Sequence, residues 1–405
     1  MTTTVHAADV VLTMTGEPIP GGAVVVEGDR IAAIGVRADF EGERIRDWPG
    51  VLTPGLVNAH AHLEYGPPFA HLATSGLPFA DWILQLSTIR RGLDDAAWQV
   101  AARASAHQLL RCGTTAVADV VTRGPAAGVA ASLGLQGIAY AELAGVDAAG
   151  WPDALDRLEG LLGGPGLRRG VSPHTLYSLG TQVFRDLVAL ARDRGMRLHP
   201  HLAETSDEAE WVLSGTGRFA EIIAEVGLAH ELAGVGTGRS PVQHCDDLGG
   251  LGPDSHVAHG VHVDAADRAL LRERGTVVAL CTRSNAILQA GAAPVAAYLD
   301  EGNVVAIGTD SLASSPDLDL LAEARATRDL AVAQGFVSPD ELVVRALTVG
   351  GAQALGLDLG TLRVGGRADL AAFAVPPHDP YRSLLDHGAG RCVATVLGGR
   401  LVHRR

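Results

Sequence analysis

The chain has 405 residues, of which 47% are hydrophobic, and 32 basic residues stand against 46 acidic ones for a net charge of −14. That is enough apolar material for one large domain or two medium ones, and a surface this acidic repels nucleic acid and anionic membrane. Every basic residue among the 32 is arginine, which excludes Schiff-base and pyridoxal chemistry, a P-loop lysine, and a carbamylated lysine bridging two metals.

The first residues, Met1 to His6, show no basic region followed by a long apolar run. No segment approaches the ~20 apolar residues of a membrane span, so a soluble cytoplasmic protein is expected. Residues 5–50 read as short strands. Val10–Met14, Gly22–Glu27 and Arg30–Ile34 run apolar or alternate, broken by Gly-Glu, Gly-Gly and Gly-Asp turns. Near the other end Ala368–Ala374 and Val393–Val402 are similar, with Gly398-Gly399 turning inside the second. Residues 1–52 and 360–405 are therefore expected to build one small β-sandwich domain from both termini.

The middle, 53–359, alternates. Apolar runs at Val51–His62, Thr115–Val121, Leu135–Leu143, Leu167–His174, Met196–Glu204, His256–Val263, Thr276–Ser284 and Val304–Ser311 are read as eight strands. Helical patterns separate them at Ala96–Leu110, Asp153–Leu162, Gln182–Arg194, Ala265–Arg274, Pro294–Glu301, Leu318–Gln334 and Pro339–Leu355. Such alternation predicts a (β/α)8 TIM barrel, with a doubly wound sheet as the competing arrangement. The cysteines, Cys112, Cys245, Cys281 and Cys392, are far apart with no CxxC pair, so neither a zinc ribbon nor a dense disulfide framework is expected.

In a barrel the chemistry sits at the C-terminal ends of the strands, and there the apolar runs end in polar clusters. His60 and His62 close the first strand two residues apart, on one face, as a chelating pair. The fifth run ends in His199-Pro200-His201-Leu202-Ala203-Glu204. His199 and His201 share a face, and the barrel position favours His201 as the ligand. Glu204 supplies the carboxylate that a metal-activated water needs as proton shuttle. His256, His259 and His262 crowd the sixth strand end, where one could polarise the attacking water or the substrate. Asp310 follows the eighth strand, where it is either an anionic ligand balancing neutral imidazoles or a helix cap. His174 ends the fourth strand as a candidate substrate contact.

Together these residues resemble the amidohydrolase superfamily, and within it the aminohydrolase branch of S-adenosylhomocysteine, adenosine and guanine deaminases and triazine chlorohydrolases. The matching segments are Pro54-Gly55-Leu56-Val57-Asn58-Ala59-His60-Ala61-His62, His201-Leu202-Ala203-Glu204-Thr205, Ala258-His259-Gly260-Val261-His262, Gly308-Thr309-Asp310-Ser311 and Gly365-Gly366-Arg367-Ala368-Asp369-Leu370. The resemblance implies one divalent metal, zinc or iron, held by His60, His62, His201 and Asp310. It implies that Glu204 protonates the ring nitrogen and shuttles protons to the leaving amine, that His259 orients the water, that Asp310 takes its proton, and that His174 contacts the ribose. A small-molecule purine nucleoside is then the substrate, with a homodimer as the expected assembly and neither nucleic acid nor membrane as partner.

Leu63-Glu64-Tyr65, Pro78-Phe79-Ala80-Asp81-Trp82-Ile83, Ser172-Pro173-His174-Thr175-Leu176-Tyr177-Ser178, Arg283-Ser284-Asn285 and Asp310-Ser311-Leu312-Ala313-Ser314-Ser315-Pro316-Asp317 look more narrowly like the aminodeoxyfutalosine deaminases of menaquinone biosynthesis. On that resemblance Trp82 would stack on an aromatic face. Arg283 or another loop arginine would pair with a carboxylate. Substrate choice would be set near Trp82, Glu142, His174 and Arg283. Gln243-His244-Cys245 departs from the pattern and is expected to reshape the cavity wall. The alternatives are deamination of S-adenosylhomocysteine, methylthioadenosine or adenosine, amino- or chlorohydrolysis of another nitrogen heterocycle, and a catalytically dead binding protein on the same fold.

Overall fold

The computed structural model describes residues 3–40, 44–164 and 166–405. Met1 and Thr2, which open the predicted small domain, and residues 41–43 within it lie outside the described residues. The N-terminal segment forms β1 (Thr3–Val11), β2 (Ile19–Pro20), β3 (Gly22–Glu27), β4 (Arg30–Val36) and β5 (Ile45–Pro54). Eight strands follow: β6 (Leu56–Ala61), β7 (Thr114–Val121), β8 (Gln136–Leu143), β9 (Arg168–Pro173), β10 (His201–Leu202), β11 (His256–His259), β12 (Val277–Leu280) and β13 (Val305–Ile307). The chain ends with β14 (Leu370–Phe373), β15 (Cys392–Leu397) and β16 (Arg400–Arg404).

The terminal strands join in one sheet, in the order β16-β15-β14-β5-β1-β3-β4 with β2 on β1. Val24, Ile31, Trp48, Leu52, Leu370 and Val396, drawn from both halves of this sheet, share one buried apolar cluster. The N-terminal half cannot bury that face without the C-terminal half. Gly398 and Gly399 both adopt positive φ, 50° and 73°. They make the two-residue turn that the right-handed twist of β15 and β16 requires.

The middle strands form two parallel four-strand sheets, β6-β7-β8-β9 and β10-β11-β12-β13. Single bridges close them into a barrel: Ala61 to Asp310 at one seam, and Leu198 to both Val171 and Ser255 at the other. The fifth strand is short for a physical reason. Pro200 has no N–H to donate, so the ladder breaks between the bridge at Leu198 and the pair His201–Leu202. Helices observed at Asp95–Arg111, Trp151–Leu162, Thr181–Asp193, Ala265–Arg274, Val295–Asp300 and Leu320–Ala333 lie within two residues of the expected spans. The expected Pro339–Leu355 helix is divided by a wider turn at Ala346–Gly350.

Two differences matter for the site. The run read as a strand over Thr276–Ser284 ends at Leu280, and Thr282–Ile287 is helical. Helices Phe79–Arg91, Ser206–Ser214 and Arg218–Glu225, absent from the sequence reading, follow the first and fifth barrel strands. Phe79–Arg91 mixes aromatic and polar residues on one face, so no clean apolar stripe announces it.

Gly137 permits the closest approach within the barrel wall. It has φ 131°, and a Cβ there would lie 1.9 Å from the Val117 carbonyl oxygen on β7. Gly137→Ala is expected to destabilise the fold by at least about 3 kcal/mol, from strain and overpacking together. Gly302→Ala is the control: it is also left-handed, at φ 76°, but faces open space, and should cost about 1 kcal/mol. Urea denaturation of the two variants measures the difference.

Candidate metal centre and active site

Five side chains from four strand ends meet at the mouth of the barrel. β6 carries His60, His62 follows one residue past its end, β10 opens with His201, β11 closes with His259, and Asp310 follows β13. All five are buried. His62 Nε2 lies 3.2 Å from His201 Nε2. Asp310 Oδ1 lies 3.6 Å from His60 Nε2 and 3.8 Å from His62 Nε2. The ligand atoms of His60, His62 and His201 fall within 4.8 Å of one another, as do those of His60, His259 and Asp310.

The two carboxylate separations are long for hydrogen bonds, but two ligands of one tetrahedral ion, each about 2.0–2.2 Å from it, lie about 3.4 Å apart. His60 Nε2 is buried with no hydrogen-bond partner. Such an orphaned atom is costly unless something fills the space it faces. The donor set of neutral imidazoles and one carboxylate suits a divalent ion of the zinc or iron type.

The floor beneath explains which nitrogen of His60 faces inward. The His256 carbonyl accepts a hydrogen bond from His199 Nδ1 at 3.0 Å. His199 Nε2, then a lone-pair acceptor, receives Nδ1–H of His60 at 2.7 Å. Nε2 of His60 is left unprotonated and pointed at Asp310. His256 closes the layer by donating from Nε2 to the Ala59 carbonyl at 2.9 Å, and its ring stacks on His199 at 3.8 Å. His199 thus sits one layer below His201 and reaches the cluster through His60.

Three strand-end residues have left-handed backbone: Ala203 (φ 53°), His259 (φ 75°) and Asp310 (φ 57°). Strain at non-glycine residues is tolerated where surrounding contacts over-determine it, and here they do. Glu208 accepts hydrogen bonds from the N–H groups of Ala203 and Glu204, at 3.1 and 2.8 Å, and fixes the turn that presents Glu204. Asp310 Oδ2 accepts from the hydroxyls of Ser284 and Ser314, at 2.7 and 2.8 Å. Asn58 grips the Thr309 side chain and backbone N–H, tying the ends of β6 and β13 together. His259 donates from Nδ1 to Asn285 Oδ1 at 2.9 Å, which leaves Nε2 an acceptor 3.5 Å from Glu204 Oε1.

The carboxylates diverge in charge state. Burial, with Asp310 and Glu208 nearby, pushes Glu204 well above the usual carboxylate range, the direction a proton donor needs. Burial would also raise Asp310, but the imidazoles of His60, His62 and His259 overcome it and hold Asp310 well below that range. Burial lowers His259 to about 4, so its ring is neutral. A protonated acid beside an ionised one is how acid and base roles are divided in one site.

A cavity of about 290 Å³ opens over these residues. His62, His201, Glu204, His259 and Asp310 line it, as do Trp82, Glu142 and His174 from the expected substrate contacts. Arg283 does not. At Cys281 the strand gives way to a helical turn, which rotates Arg283 out to Asp317, where two hydrogen bonds of 2.8 and 3.1 Å hold it. The cavity's arginine is Arg90, on helix Phe79–Arg91, bonded to Thr122 Oγ1 at 3.0 Å and lying over the Tyr65 ring. The helix Pro241–Asp247, which carries Gln243-His244-Cys245, contributes no wall residue, contrary to expectation. Arg90→Gln is accordingly expected to lower kcat/KM at least about tenfold, and Arg283→Gln less than about threefold. Steady-state kinetics on both variants checks the exchange.

The amidohydrolase family model matches residues 51–402. The chain belongs to the amidohydrolase family. Among curated relatives, the 5-methylthioadenosine/S-adenosylhomocysteine deaminase of Natronomonas pharaonis is 33% identical, over 95% of this chain and 91% of the relative. The aminodeoxyfutalosine deaminase of Deinococcus radiodurans is 31% identical, over 87% and 85%. Among solved structures, a zinc-bound adenosine deaminase of Xanthomonas campestris superposes with a TM-score of 0.79 at 24% identity, covering 98% of this chain and 92% of that one.

This amidohydrolase is thus a hydrolase of the type that acts on carbon–nitrogen bonds of cyclic amidines. Among its described residues, no helix is long and apolar enough to cross a membrane. Tyr65 and Ser314 stand, without an assigned role, in the segments that carry the resemblance, whereas Glu208 and Arg90, which also shape the site, are absent from them. Only Glu208 had a local signal. Thr205-Ser206-Asp207-Glu208 has capping-box spacing, and the Thr205 side chain does accept from Glu208 N–H.

Proposed function

We propose that this amidohydrolase hydrolytically deaminates a 6-aminopurine nucleoside modified at its 5′ position. The observation that carries the reading is geometric: Glu204 lies 3.5 Å from His259, and Asp310 lies 3.6 Å from His60 and 3.8 Å from His62, so an acid, a base and the imidazole cluster face one cavity. His60, His62, His201 and Asp310 would hold one divalent ion, zinc or iron, which when bound activates water at neutral pH.

The remaining chemistry belongs to side chains. Glu204 donates its proton to ring nitrogen N1, so C6 becomes electrophilic. As the water oxygen bonds to C6, Asp310 takes one of its protons while His259 holds the water in place, and the second leaves as the C6 carbonyl forms; one of the two reprotonates Glu204 and the other goes to the amine. The carbon–nitrogen bond then breaks, and the amine leaves as ammonia after taking a proton returned through Glu204. Nucleoside and water are consumed; the 6-oxopurine nucleoside and ammonia form.

Within this class the favoured substrate is 6-amino-6-deoxyfutalosine, giving futalosine and ammonia in menaquinone biosynthesis, supported by the Deinococcus radiodurans relative. Methylthioadenosine and S-adenosylhomocysteine form a second reading, supported equally by the Natronomonas pharaonis relative. An ammonia-release screen over aminodeoxyfutalosine, methylthioadenosine, S-adenosylhomocysteine, adenosine and guanine tests both. Release from guanine alone, or from none, would overturn the nucleoside reading.

The floor layer makes a further prediction. His199→Leu deprives His60 Nδ1–H of its acceptor. It is expected to weaken metal retention about 10–100-fold, the usual loss when a ligand's outer partner is removed. The apo protein should also melt lower, because the leucine leaves His60 Nδ1–H and the His256 carbonyl buried without their partners. Chelator competition and thermal melting read the two effects separately.

A further inference from the structure

Away from the ligand cluster the cavity wall changes character. The His174 ring packs 4.9 Å from His201 and 6.1 Å from Tyr177. Tyr177 stacks on Phe219 at 3.8 Å and 10°. Phe219 meets Phe79 edge-on at 6.4 Å, and Phe79 stacks on Trp82 at 6.0 Å. All five rings line the cavity. They form an arc that begins beside a candidate metal ligand and ends on helix Phe79–Arg91.

The arc is built to hold its shape. Trp82 Nε1 donates to the Ala313 carbonyl at 3.1 Å. Arg218 reaches Asp81 at 3.2 Å and ties the helix bearing Phe219 to the helix bearing Phe79. Charged groups of the cavity lie elsewhere. Glu142 is 3.7 Å from His201, Glu204 is 3.5 Å from His259, and Asp310 is within the cluster. Arg90 lies over Tyr65, whose own ring stacks on His62 at 5.1 Å. Every cation and carboxylate that lines the cavity is therefore gathered at its reacting end.

We propose that the aromatic arc is the subsite for the 5′ substituent and that it selects an apolar or aromatic group, such as an alkylthio or aryl chain, over a zwitterionic amino-acid chain. This rests on the deaminase reading above and narrows its substrate class. A flat or thioether group exchanges water for ring contact. An ammonium laid along the same rings loses hydration and meets no carboxylate there.

Ammonia release is to be measured with the metal-loaded enzyme on adenosine, 5′-methylthioadenosine, 5′-benzylthioadenosine and S-adenosylhomocysteine. The two thioethers are expected to exceed S-adenosylhomocysteine in kcat/KM by at least about tenfold. In Phe219→Ser the benzylthio-to-adenosine ratio should fall at least about tenfold, and in Phe219→Leu less than about threefold. S-adenosylhomocysteine turned over as well as the thioethers would overturn the proposal, as would an unchanged ratio in Phe219→Ser. Because the wild-type series decides by itself, a Phe219→Ser protein that fails to fold does not rescue the idea. Ammonia from none of the four, and none from aminodeoxyfutalosine assayed beside them, removes the deaminase reading itself. Ammonia from adenosine without any preference among tails removes the subsite alone.

Discussion

Glu204→Gln is expected to lower kcat by about 10²–10⁴-fold, the range a positioned general acid–base supplies. Glutamine has the same shape and keeps a hydrogen-bond donor, but it carries no transferable proton. The wild-type side chain is buried and lies 3.5 Å from His259, and burial pushes its carboxyl well above the usual range. It belongs to none of the ligand groups that could hold an ion, so metal content and melting temperature should match wild type. Ammonia release under saturating nucleoside, with metal analysis on the same preparation, separates the effects. Near-normal turnover in the variant would remove Glu204 from the chemistry.

Asp310→Ala should have the other large effect, a loss of metal retention of at least about 100-fold together with activity. Losing an outer partner of a ligand already costs about 10–100-fold, and Asp310 is the one anionic member of the proposed set. Its second oxygen also accepts the Ser284 and Ser314 hydroxyls, so truncation leaves two buried donors without an acceptor. The backbone is a further reason for a large effect. Asp310 N–H donates to the His60 carbonyl and the Asp310 carbonyl accepts from His62 N–H, at 3.0 and 3.3 Å, so the seam that closes the barrel runs through this residue. Chelator competition measures the affinity, and unchanged affinity would contradict the ligand role.

Much of this architecture is legible from local pattern. Eight apolar runs ending in polar residues specify strands and the end of the barrel where chemistry collects, since strand alternation and the parallel βα repeat depend on nearest neighbours in sequence. His60 and His62 share a face for the same reason. The reading fails where an element changes type within a few residues. Arg283 was placed as though the strand continued; the turn at Cys281 carries it to Asp317 instead. Arg90 had no signal, because what an exposed helix face meets depends on where the helix docks. The floor beneath His60 is likewise invisible, since His199 and His256 belong to strands that meet only after the barrel closes.

By itself, the sequence determined the alternating barrel, the assembly of a sheet from both ends, and a set of histidines and carboxylates at the strand ends. Without lysine, it left only a site that needs no carbamate bridge. Tertiary structure alone decided that His199 reaches the cluster through a hydrogen bond to His60, that Arg90 rather than Arg283 enters the cavity, and that an aromatic arc leads away from the reacting end. The physical reason is one of range. Periodicity sets directions within an element, whereas hydrogen-bond partners, burial and charge state depend on which elements end up opposite one another, and only the closed barrel brings those together.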